Sequence, residues 1–278
     1  MSLDQLPPLR DVIAEHGLAA KKGLGQHFLL DLNLTRKIAG FCEAEPSDTV
    51  LEIGPGPGGL TRALLETGAN VVAIERDRRI APILDELHAA TGRLRAVEAD
   101  ALKADERALG LPDDTIIASN LPYNISTELL IKWLTAKPRF WRRMVLMFQR
   151  EVGDRILAQP GSKTYGRLSV IAQAASAPRL AFHLPARAFT PPPKVDSSVL
   201  IFENAGRPDN LSALENVTAA AFSQRRKMLR QSLKCIFPDR LAEVLRCESV
   251  DETARAEDLS VEQYRALAAH VVQAASQR

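Results

Sequence analysis

Short apolar runs alternate with segments of helical period between residues 49 and 203. The runs are rich in Val, Ile and Leu and are bounded by turn-forming residues, which is typical of buried strands. Predicted strands cover 49–53, 70–74, 94–99, 115–118, 144–148, 179–184 and 198–202. The last two flank a proline-rich loop and predict an antiparallel pair at the edge of the sheet. This alternation predicts an α/β fold with a doubly wound, mostly parallel, seven-stranded sheet.

A change of pattern near residue 205 indicates a second domain. Residues 204–210 have the composition of a linker, and helical period without a convincing strand dominates the chain beyond them. The sequence therefore predicts a sheet-containing domain over 1–205 and a small all-helical C-terminal domain over 206–278. The segment before Thr49 predicts a helical lead-in.

The composition is that of an intracellular globular protein. The 278 residues are 46% apolar, and no apolar run approaches the roughly 18 residues of a membrane span. Three cysteines without metal-ligand spacing favour a reducing compartment, and the first residues lack the pattern of a signal peptide. We therefore expect a cytoplasmic monomer that binds neither a membrane nor a metal ion.

A glycine-rich turn joins the first predicted strand to its helix. It reads Glu52-Ile53-Gly54-Pro55-Gly56-Pro57-Gly58-Gly59. Glycines there allow the backbone to approach a ligand, and the helix N-terminus directs free N–H groups toward it. Glu75 ends the second predicted strand about 20 residues later, where a carboxylate accepts hydrogen bonds from ribose hydroxyls. The motif alone does not choose between NAD and another ligand that contains adenosine.

Two further strand ends bear on this choice. Asp100 ends the third predicted strand and offers an acceptor to an adenine amine. Asn120-Leu121-Pro122-Tyr123 ends the fourth. The Asn120 side-chain oxygen and the Pro122 carbonyl, which we expect to have no competing N–H nearby, can hold an exocyclic amine while Tyr123 stacks on the base. Because ligands bind at the carboxyl edge of such sheets, the set favours an S-adenosylmethionine-dependent methyltransferase.

Four ordered motifs give the chain a family resemblance. They are Gly25-Gln26-His27-Phe28-Leu29, Glu52-Ile53-Gly54-Pro55-Gly56, Asn120-Leu121-Pro122-Tyr123, and Phe-x-Pro-x-Pro-Lys-Val-Asp-Ser at 189–197. From Lys21 to the last helices, the chain resembles the bacterial ribosomal RNA adenine dimethyltransferases. The resemblance implies a Rossmann-like methyltransferase domain. It also implies transfer of four methyl groups to the N6 amines of two adjacent adenines, in a hairpin loop near the 3′ end of small-subunit rRNA.

The resemblance also implies site residues. S-adenosylmethionine would be held by His27, Leu29, Gly54, Gly56, Glu75, Asp100, Ala101 and Asn120. Asn120 and Pro122 would hold the target amine, Tyr123 would stack on the base, and Phe189 would cover its other face. The family more often has Asn where this chain has His27, and an imidazole can also donate or accept a hydrogen bond.

An acid-free segment, 223–234, predicts contacts with RNA phosphates. Its cations are Arg225, Arg226, Lys227, Arg230 and Lys234. On one continuous helix Arg226 and Arg230 would share a face while Met228 and Leu229 faced the core.

A second cluster (Lys137, Arg139, Arg142 and Arg143) is equally compatible with RNA contact and with an ordinary solvated surface. Phe140, Trp141 and Phe222 are expected to pack in the core. The expected partner is small-subunit rRNA within the immature small ribosomal subunit, late in assembly.

Three alternatives remain open on the sequence. An rRNA adenine methylase that adds a single methyl group has the same core. A ribosome-assembly binding factor would methylate only as a secondary activity. A nicotinamide oxidoreductase would explain the glycine turn but gives no reason for the motif that begins at Asn120.

Overall fold

The computed structural model describes residues 3–21, 23, 25–206 and 210–276. The strands are β1 (Phe28–Leu29), β2 (Thr49–Ile53), β3 (Asn70–Glu75), β4 (Leu94–Glu98), β5 (Thr115–Asn120), β6 (Trp141–Gln149), β7 (Ala177–Leu184), β8 (Phe189–Thr190) and β9 (Ser197–Glu203). The helices are α1 (Leu9–Glu15), α2 (Leu32–Gly40), α3 (Gly59–Glu66), α4 (Ala81–Thr91), α5 (Ser126–Thr135), α6 (Arg150–Ile156), α7 (Arg167–Ala175), α8 (Leu211–Ser223), α9 (Leu229–Ser232), α10 (Leu241–Cys247) and α11 (Val261–Ser276).

Seven strands form one sheet in the order β4-β3-β2-β5-β6-β9-β7. β2 is parallel to both β3 and β5, β3 is parallel to β4, and β5 is parallel to β6. β9 runs antiparallel to β6. The predicted seven-stranded, mostly parallel sheet is confirmed, and the two late strands are neighbours at its edge.

The centre of the sheet is covered on both faces. Val50 and Leu51 of β2 pair with Ile116 and Ile117 of β5, and all four side chains are 0% exposed. Consecutive strand residues point to opposite faces, so burial of both in each strand requires cover on both sides. Leu64 of α3 belongs to the same core cluster as Val50 and Ile116. Burial of both faces explains why these strands appear in the sequence as continuous apolar runs.

A separate sheet of two short strands was not predicted. β1 pairs antiparallel with β8, which places Phe28 opposite Thr190 and Leu29 opposite Phe189. Strands of two residues have no measurable periodicity, so the sequence predicted only a helical lead-in before Thr49. The helices of that lead-in are present as α1 and α2, with β1 between them. The pairing joins two of the sequence motifs that lie far apart in the chain.

The chain also forms a second, mainly helical compact unit. It comprises residues 134–137, 154–178 and the described residues from Asn204 on. Within it α8 packs against α7 and α11, and Phe222 stacks on Tyr264 with ring centroids 5.7 Å apart and meets Tyr165 edge-on. In the sheet unit, Phe140 and Trp141 are 2% and 0% exposed. These three aromatic residues therefore serve packing, as the sequence predicted.

Residues 223–234 do not form the single helix on which Arg226 and Arg230 would share a face. α8 ends at Ser223, a turn follows over 224–227, and α9 begins at Leu229. The backbone N–H of Leu229 donates to the carbonyl of Ala254 at 2.9 Å. Because this long-range hydrogen bond replaces a helical one, the expected shared helix face of the basic residues does not form.

The start of α3 predicts an effect on stability. A Cβ atom at Gly59 would lie 2.6 Å from the backbone carbonyl oxygen of Leu29. Since backbone must shift to relieve this clash, we expect Gly59→Ala to lower the free energy of unfolding by roughly 1–3 kcal/mol. Gly40→Ala is the matched control, because a Cβ there meets nothing within 4 Å. Chemical denaturation checks the prediction, and equal midpoints for the two variants would contradict it.

Candidate active site

A cavity at the carboxyl edge of the parallel strands gathers most of the predicted site residues. Its walls come from β1, the turn after β2, the end of β3, the loop after β4 and the segment after β5. The predicted residues that line it are His27, Leu29, Gly54, Gly56, Glu75, Asp100, Ala101, Asn120, Pro122 and Tyr123. Phe189 does not line it, because its side chain is 2% exposed and belongs to the hydrophobic core.

The turn after β2 depends on glycine at the cavity wall. Gly54 and Gly56 have φ angles of +64° and +52°, a region that side chains other than glycine rarely adopt. The Gly54 N–H donates to the Ile74 carbonyl at 2.9 Å, so the turn is fixed to β3. A Cβ at Gly56 would lie 3.3 Å from the Phe28 ring. The turn therefore presents bare backbone to the cavity.

Glu75 is oriented by backbone N–H groups at the end of β3. Its carboxylate accepts hydrogen bonds from the N–H groups of Arg76 at 2.8 Å, Asp77 at 2.7 Å and Gly56 at 3.4 Å. Burial raises the pKa of Glu75, and these three donors oppose the rise. Because a carboxylate has about four acceptor positions, one is left for a ligand hydroxyl.

Asp100 organises the loop after β4. Its Oδ1 accepts from the Leu102 N–H at 3.1 Å, and its Oδ2 lies 3.5 Å from the Arg76 guanidinium. The N–H groups of Lys103 and Ala104 both donate to the Asp100 carbonyl at 2.9 Å. The loop is thus closed on itself, with the Asp100 carboxylate on the cavity wall.

Glu52 is a cavity residue to which the sequence analysis assigned no role. It lines the cavity from β2, is 2% exposed, and accepts a hydrogen bond from the Thr61 hydroxyl at 2.7 Å. Burial raises the pKa of Glu52 to about 8, against the effect of Thr61 and with a further rise from the charge of Glu75. The available signal was an acidic residue within an otherwise apolar strand.

The Asn120 side chain is held by the first of the four motifs, at residues 25–29. Its Nδ2 donates to the backbone carbonyl of His27 at 3.0 Å. Next to it, the Ser119 hydroxyl donates to the Ile53 carbonyl at 2.6 Å and ties the end of β5 to β2. Within the described residues no donor bonds to Asn120 Oδ1. The amide is therefore held with its oxygen available as an acceptor.

Pro122 and Tyr123 complete this part of the cavity. The expectation that the Pro122 carbonyl has no competing N–H is wrong, since the Ile125 N–H donates to it at 3.1 Å. A carbonyl oxygen has two lone pairs, so a second donor can still bind. The Tyr123 hydroxyl lies 2.7 Å from the Ser197 hydroxyl. Burial raises the pKa of Tyr123, with the Ser197 hydrogen bond opposing the rise.

His27 lies against the ring of Tyr123. Their ring centroids are 5.6 Å apart with an interplanar angle of 29°. His27 Nδ1 lies 2.8 Å from the Pro191 carbonyl, and since a carbonyl only accepts, Nδ1 carries the proton. In the neutral ring Nε2 is then the acceptor. The imidazole thus connects the proline-rich loop to the aromatic wall of the cavity.

The predicted RNA-contacting cations do not share one environment. Those with exposed side chains are Arg226, Lys227, Arg230 and Lys234. Arg225 instead donates to the Glu257 carboxylate at 2.9 Å and to the Ser162 carbonyl at 3.3 Å. Leu229 is fully buried as expected, whereas Met228 is 37% exposed. Arg225 therefore joins parts of the helical unit, and the other four present their charge to solvent.

Acidic residues neutralise two members of the second basic cluster. Arg142 lies 2.6 Å from Asp48. Arg143 lies 2.6 Å from Glu43 and 2.8 Å from Glu203. Ion pairs of this kind compete with phosphate for the guanidinium groups. The structure thus favours the interpretation of this cluster as an ordinary protein surface.

Residues 3–21, 23, 25–206 and 210–276 contain neither a cluster of metal ligands nor a membrane-spanning helix. No group of three or more His, Cys, Asp or Glu side chains in these ranges is arranged to hold a metal ion. Within the same ranges, every helix is too short or too polar to cross a membrane.

The fold and the cavity define a class of protein. A Rossmann-like sheet, a glycine turn after β2 and acidic residues at the next two strand ends are the parts of an S-adenosylmethionine-dependent methyltransferase. The profile of the family described as ribosomal RNA adenine dimethylase matches residues 17–272, and the chain belongs to this family. The predicted fold, enzyme class and cofactor are confirmed, and the nicotinamide oxidoreductase alternative is excluded.

Known proteins resemble the chain over most of its length. Ribosomal RNA small subunit methyltransferase A of Maricaulis maris is 59% identical over 239 residues, 84% of this chain and 83% of that protein. The protein of the same name from Chelativorans sp. is 55% identical over 278 residues, 98% of this chain and 100% of its own. A dimethyladenosine transferase from Plasmodium falciparum has a TM-score of 0.76 at 25% identity, covering 89% of this chain and 98% of its own. For the 23S rRNA methyltransferase ErmE the TM-score is 0.68 at 26% identity, with 88% and 100% covered.

Glu52 predicts a pH dependence of stability. Its pKa is about 8 in the folded protein, against 4.5 for an unperturbed glutamate. The folded state therefore keeps a proton that the unfolded chain loses, so this contribution to stability is full below pH 4.5 and disappears as the pH rises to about 8. Glu52→Gln is neutral at every pH and should remove this part of the decline.

The measurement is the free energy of unfolding of wild type and Glu52→Gln between about pH 5 and 8. As the pH rises, the free energy of unfolding of wild type should fall steadily relative to that of Glu52→Gln. Glu128→Gln, at an exposed position of α5, is the control and should follow wild type. Parallel curves for wild type and Glu52→Gln would show that Glu52 is not protonated in the folded state.

Proposed function

We propose that the enzyme transfers methyl groups from S-adenosylmethionine to the N6 amines of two adjacent adenines in small-subunit rRNA. The product is N6,N6-dimethyladenosine, and the substrate is a hairpin loop near the 3′ end of the RNA. We place the reaction in the cytoplasm, on the immature small subunit late in assembly, with the enzyme acting as a monomer.

The observation that carries this proposal is the fixed amide of Asn120. Its nitrogen is committed to the His27 carbonyl at 3.0 Å, which leaves its oxygen as an acceptor. The Pro122 carbonyl and the Tyr123 ring line the same cavity. Two acceptors next to a flat ring fit the two hydrogens of an amine on a planar base.

The residues of the cavity fit S-adenosylmethionine. Gly54 and Gly56 keep bare backbone at the wall, Glu75 retains an acceptor position for a ribose hydroxyl, and Asp100 presents a carboxylate to an adenine amine. The residues proposed to hold the cofactor are His27, Leu29, Gly54, Gly56, Glu75, Asp100, Ala101 and Asn120. When bound, S-adenosylmethionine supplies an electrophilic methyl group on a sulfonium ion.

The protein contributes mainly by positioning the target amine. The lone pair of this amine is delocalised into the adenine ring, which makes the nitrogen a poor nucleophile. Hydrogen bonds to Asn120 Oδ1 and the Pro122 carbonyl favour tetrahedral geometry at the nitrogen and direct its lone pair. Tyr123 fixes the plane of the base by stacking. The proton leaves to water after attack, so the reaction needs no strongly basic side chain.

Phe189 is proposed to cover the other face of the base. Its backbone pairs with Leu29, a residue of the cavity wall, but its side chain is 2% exposed in the core. The contact therefore requires the side chain to turn from the core toward the cavity when the base enters.

The relatives support small-subunit rRNA as the substrate. Proteins named small subunit methyltransferase A are 59% and 55% identical to this chain, against 26% for the 23S rRNA methyltransferase. A methylase that adds a single methyl group to an rRNA adenine is the second candidate. A binding factor with secondary methylation would bind the subunit with little transfer. The number of methyl groups on the product adenine separates these possibilities.

We propose that residues 206–278 form an RNA-binding domain and that residues 1–205 carry out methyl transfer. The exposed cations Arg226, Lys227, Arg230 and Lys234 contact RNA phosphates. Arg225 was predicted to do the same, and its ion pair with Glu257 supports a role in holding the basic segment in place.

Loss of the Asn120 amide should abolish methyl transfer. With small subunits that lack the modification, wild type should yield dimethyladenosine, and Asn120→Ala should reduce the rate by about 100-fold or more. Asn33→Ala, the same substitution at an exposed position of α2, is the matched control. Digestion of the RNA and mass measurement of the adenosines give the readout.

Each other outcome has a distinct meaning. Monomethyladenosine as the final product of wild type would favour the single-methylation alternative. Subunit binding without transfer would favour a binding factor. Full activity of Asn120→Ala would overturn the assignment of the site.

Neutralising an exposed cation should weaken RNA binding in a salt-dependent way. Arg226→Ala and Lys234→Ala should each reduce the slope of log affinity against log salt concentration by about 0.7, as loss of one phosphate contact does. Arg246→Ala, at an exposed position of α10, is the control. Titration of the rRNA hairpin at several salt concentrations provides the slopes, and unchanged slopes would exclude phosphate contact at these residues.

A further inference from the structure

Lys132 connects α5 to the loop after β4. Its ammonium group donates to the Ala101 carbonyl at 3.0 Å, the Ala104 carbonyl at 2.5 Å and the Glu106 carboxylate at 2.8 Å. These three acceptors match the three N–H donors of an ammonium group. A lysine bound in this way acts as a fixed support for the loop backbone.

Glu106 anchors the middle of the same loop. It is 7% exposed, and its Oε1 also accepts from the indole N–H of Trp133 at 2.8 Å. Trp133 is fully buried on α5. Since a buried carboxylate is stable only when it is paired, Lys132 and Trp133 make this part of the loop depend on α5.

The supported loop forms one wall of the cavity. Ala99, Asp100, Ala101 and Leu102 all line it, and the Ala101 carbonyl is one of the acceptors of Lys132. The start of the loop is tied to β3, since the Ala99 N–H donates to the Glu75 carbonyl at 3.1 Å and the Asp100 carboxylate lies 3.5 Å from the Arg76 guanidinium. The hydrogen bonds within residues 100–104 are local. Lys132 therefore restrains the part of this wall that follows Asp100 by tying the Ala101 carbonyl to α5.

The same helix also carries the site of the target amine. The Ile125 N–H donates to the Pro122 carbonyl at 3.1 Å, and the Ser126 hydroxyl donates to the Tyr123 carbonyl at 3.1 Å. α5 begins at Ser126, three residues after Tyr123. α5 therefore contacts both the loop after β4, through Lys132, and the segment that holds the target amine, through Ser126.

We propose that Lys132, with Glu106 as its partner, is a positioning residue for cofactor recognition. It holds the loop so that Asp100 accepts a hydrogen bond from the adenine amine of S-adenosylmethionine. Selectivity for adenine over a base with a carbonyl at the same position depends on this support. The inference rests on the proposed cofactor role of Asp100.

The test measures the affinity of S-adenosylhomocysteine and of S-inosylhomocysteine, whose base has a carbonyl in place of the amine, by calorimetry. Wild type should prefer the adenine compound. In Lys132→Met the ratio of the two affinities should fall by about tenfold, as loss of charge-assisted hydrogen bonds to the loop implies. Lys103→Met is the matched control, because Lys103 lies in the same loop with an exposed side chain. Glu106→Gln gives a milder variant if Lys132→Met folds poorly.

A structural role alone would weaken both ligands equally, and an unchanged ratio in Lys132→Met and Glu106→Gln would overturn the inference. Asp100→Asn reports separately on the proposed function. If Asp100→Asn loses the selectivity but the Lys132 and Glu106 variants keep it, the cofactor site stands and the support by Lys132 is wrong. If wild type binds neither compound, the proposed function itself fails.

Discussion

The hydrogen bond from Asn120 Nδ2 to the His27 carbonyl ties the end of the fourth parallel strand to a segment almost a hundred residues earlier. It decides which end of the amide is available to a ligand. It also holds β1 at the sheet edge, where the Leu29 carbonyl approaches the start of α3 so closely that only glycine fits at Gly59. The stacking wall of Tyr123 and His27 rests on the same segment. The geometry of the cavity therefore follows from how β1 is attached.

The acidic residues around the cavity differ because their surroundings differ. Glu52 has one hydroxyl donor and is buried, so its pKa rises to about 8 and it is largely protonated at neutral pH. Glu75 has three backbone donors, and its acceptor capacity is only partly used. Asp100 is partly exposed and lies near Arg76. One cavity thus combines a mainly neutral acid with carboxylates suited to hydroxyl and amine donors.

The surface cations also differ because some have an acidic partner and others do not. Arg142 and Arg143 are paired with acids of the sheet unit, and Arg225 is paired with Glu257 in the helical unit. The cations that follow Arg225 are exposed. Composition alone cannot separate these cases, since a partner from a distant part of the chain is invisible in a local count of charges.

The sequence by itself determined the parallel sheet, the glycine turn, the acids at the strand ends and the Asn120 motif, because each depends on local periodicity or on a strand end. It did not reveal the pairing of β1 with β8, the break of the helix after Ser223, the Ile125 bond to Pro122 or the support of the loop by Lys132. Only the tertiary structure decided these features. Each depends on a hydrogen bond or packing contact whose partner is set by the three-dimensional arrangement, and no local pattern records that partner.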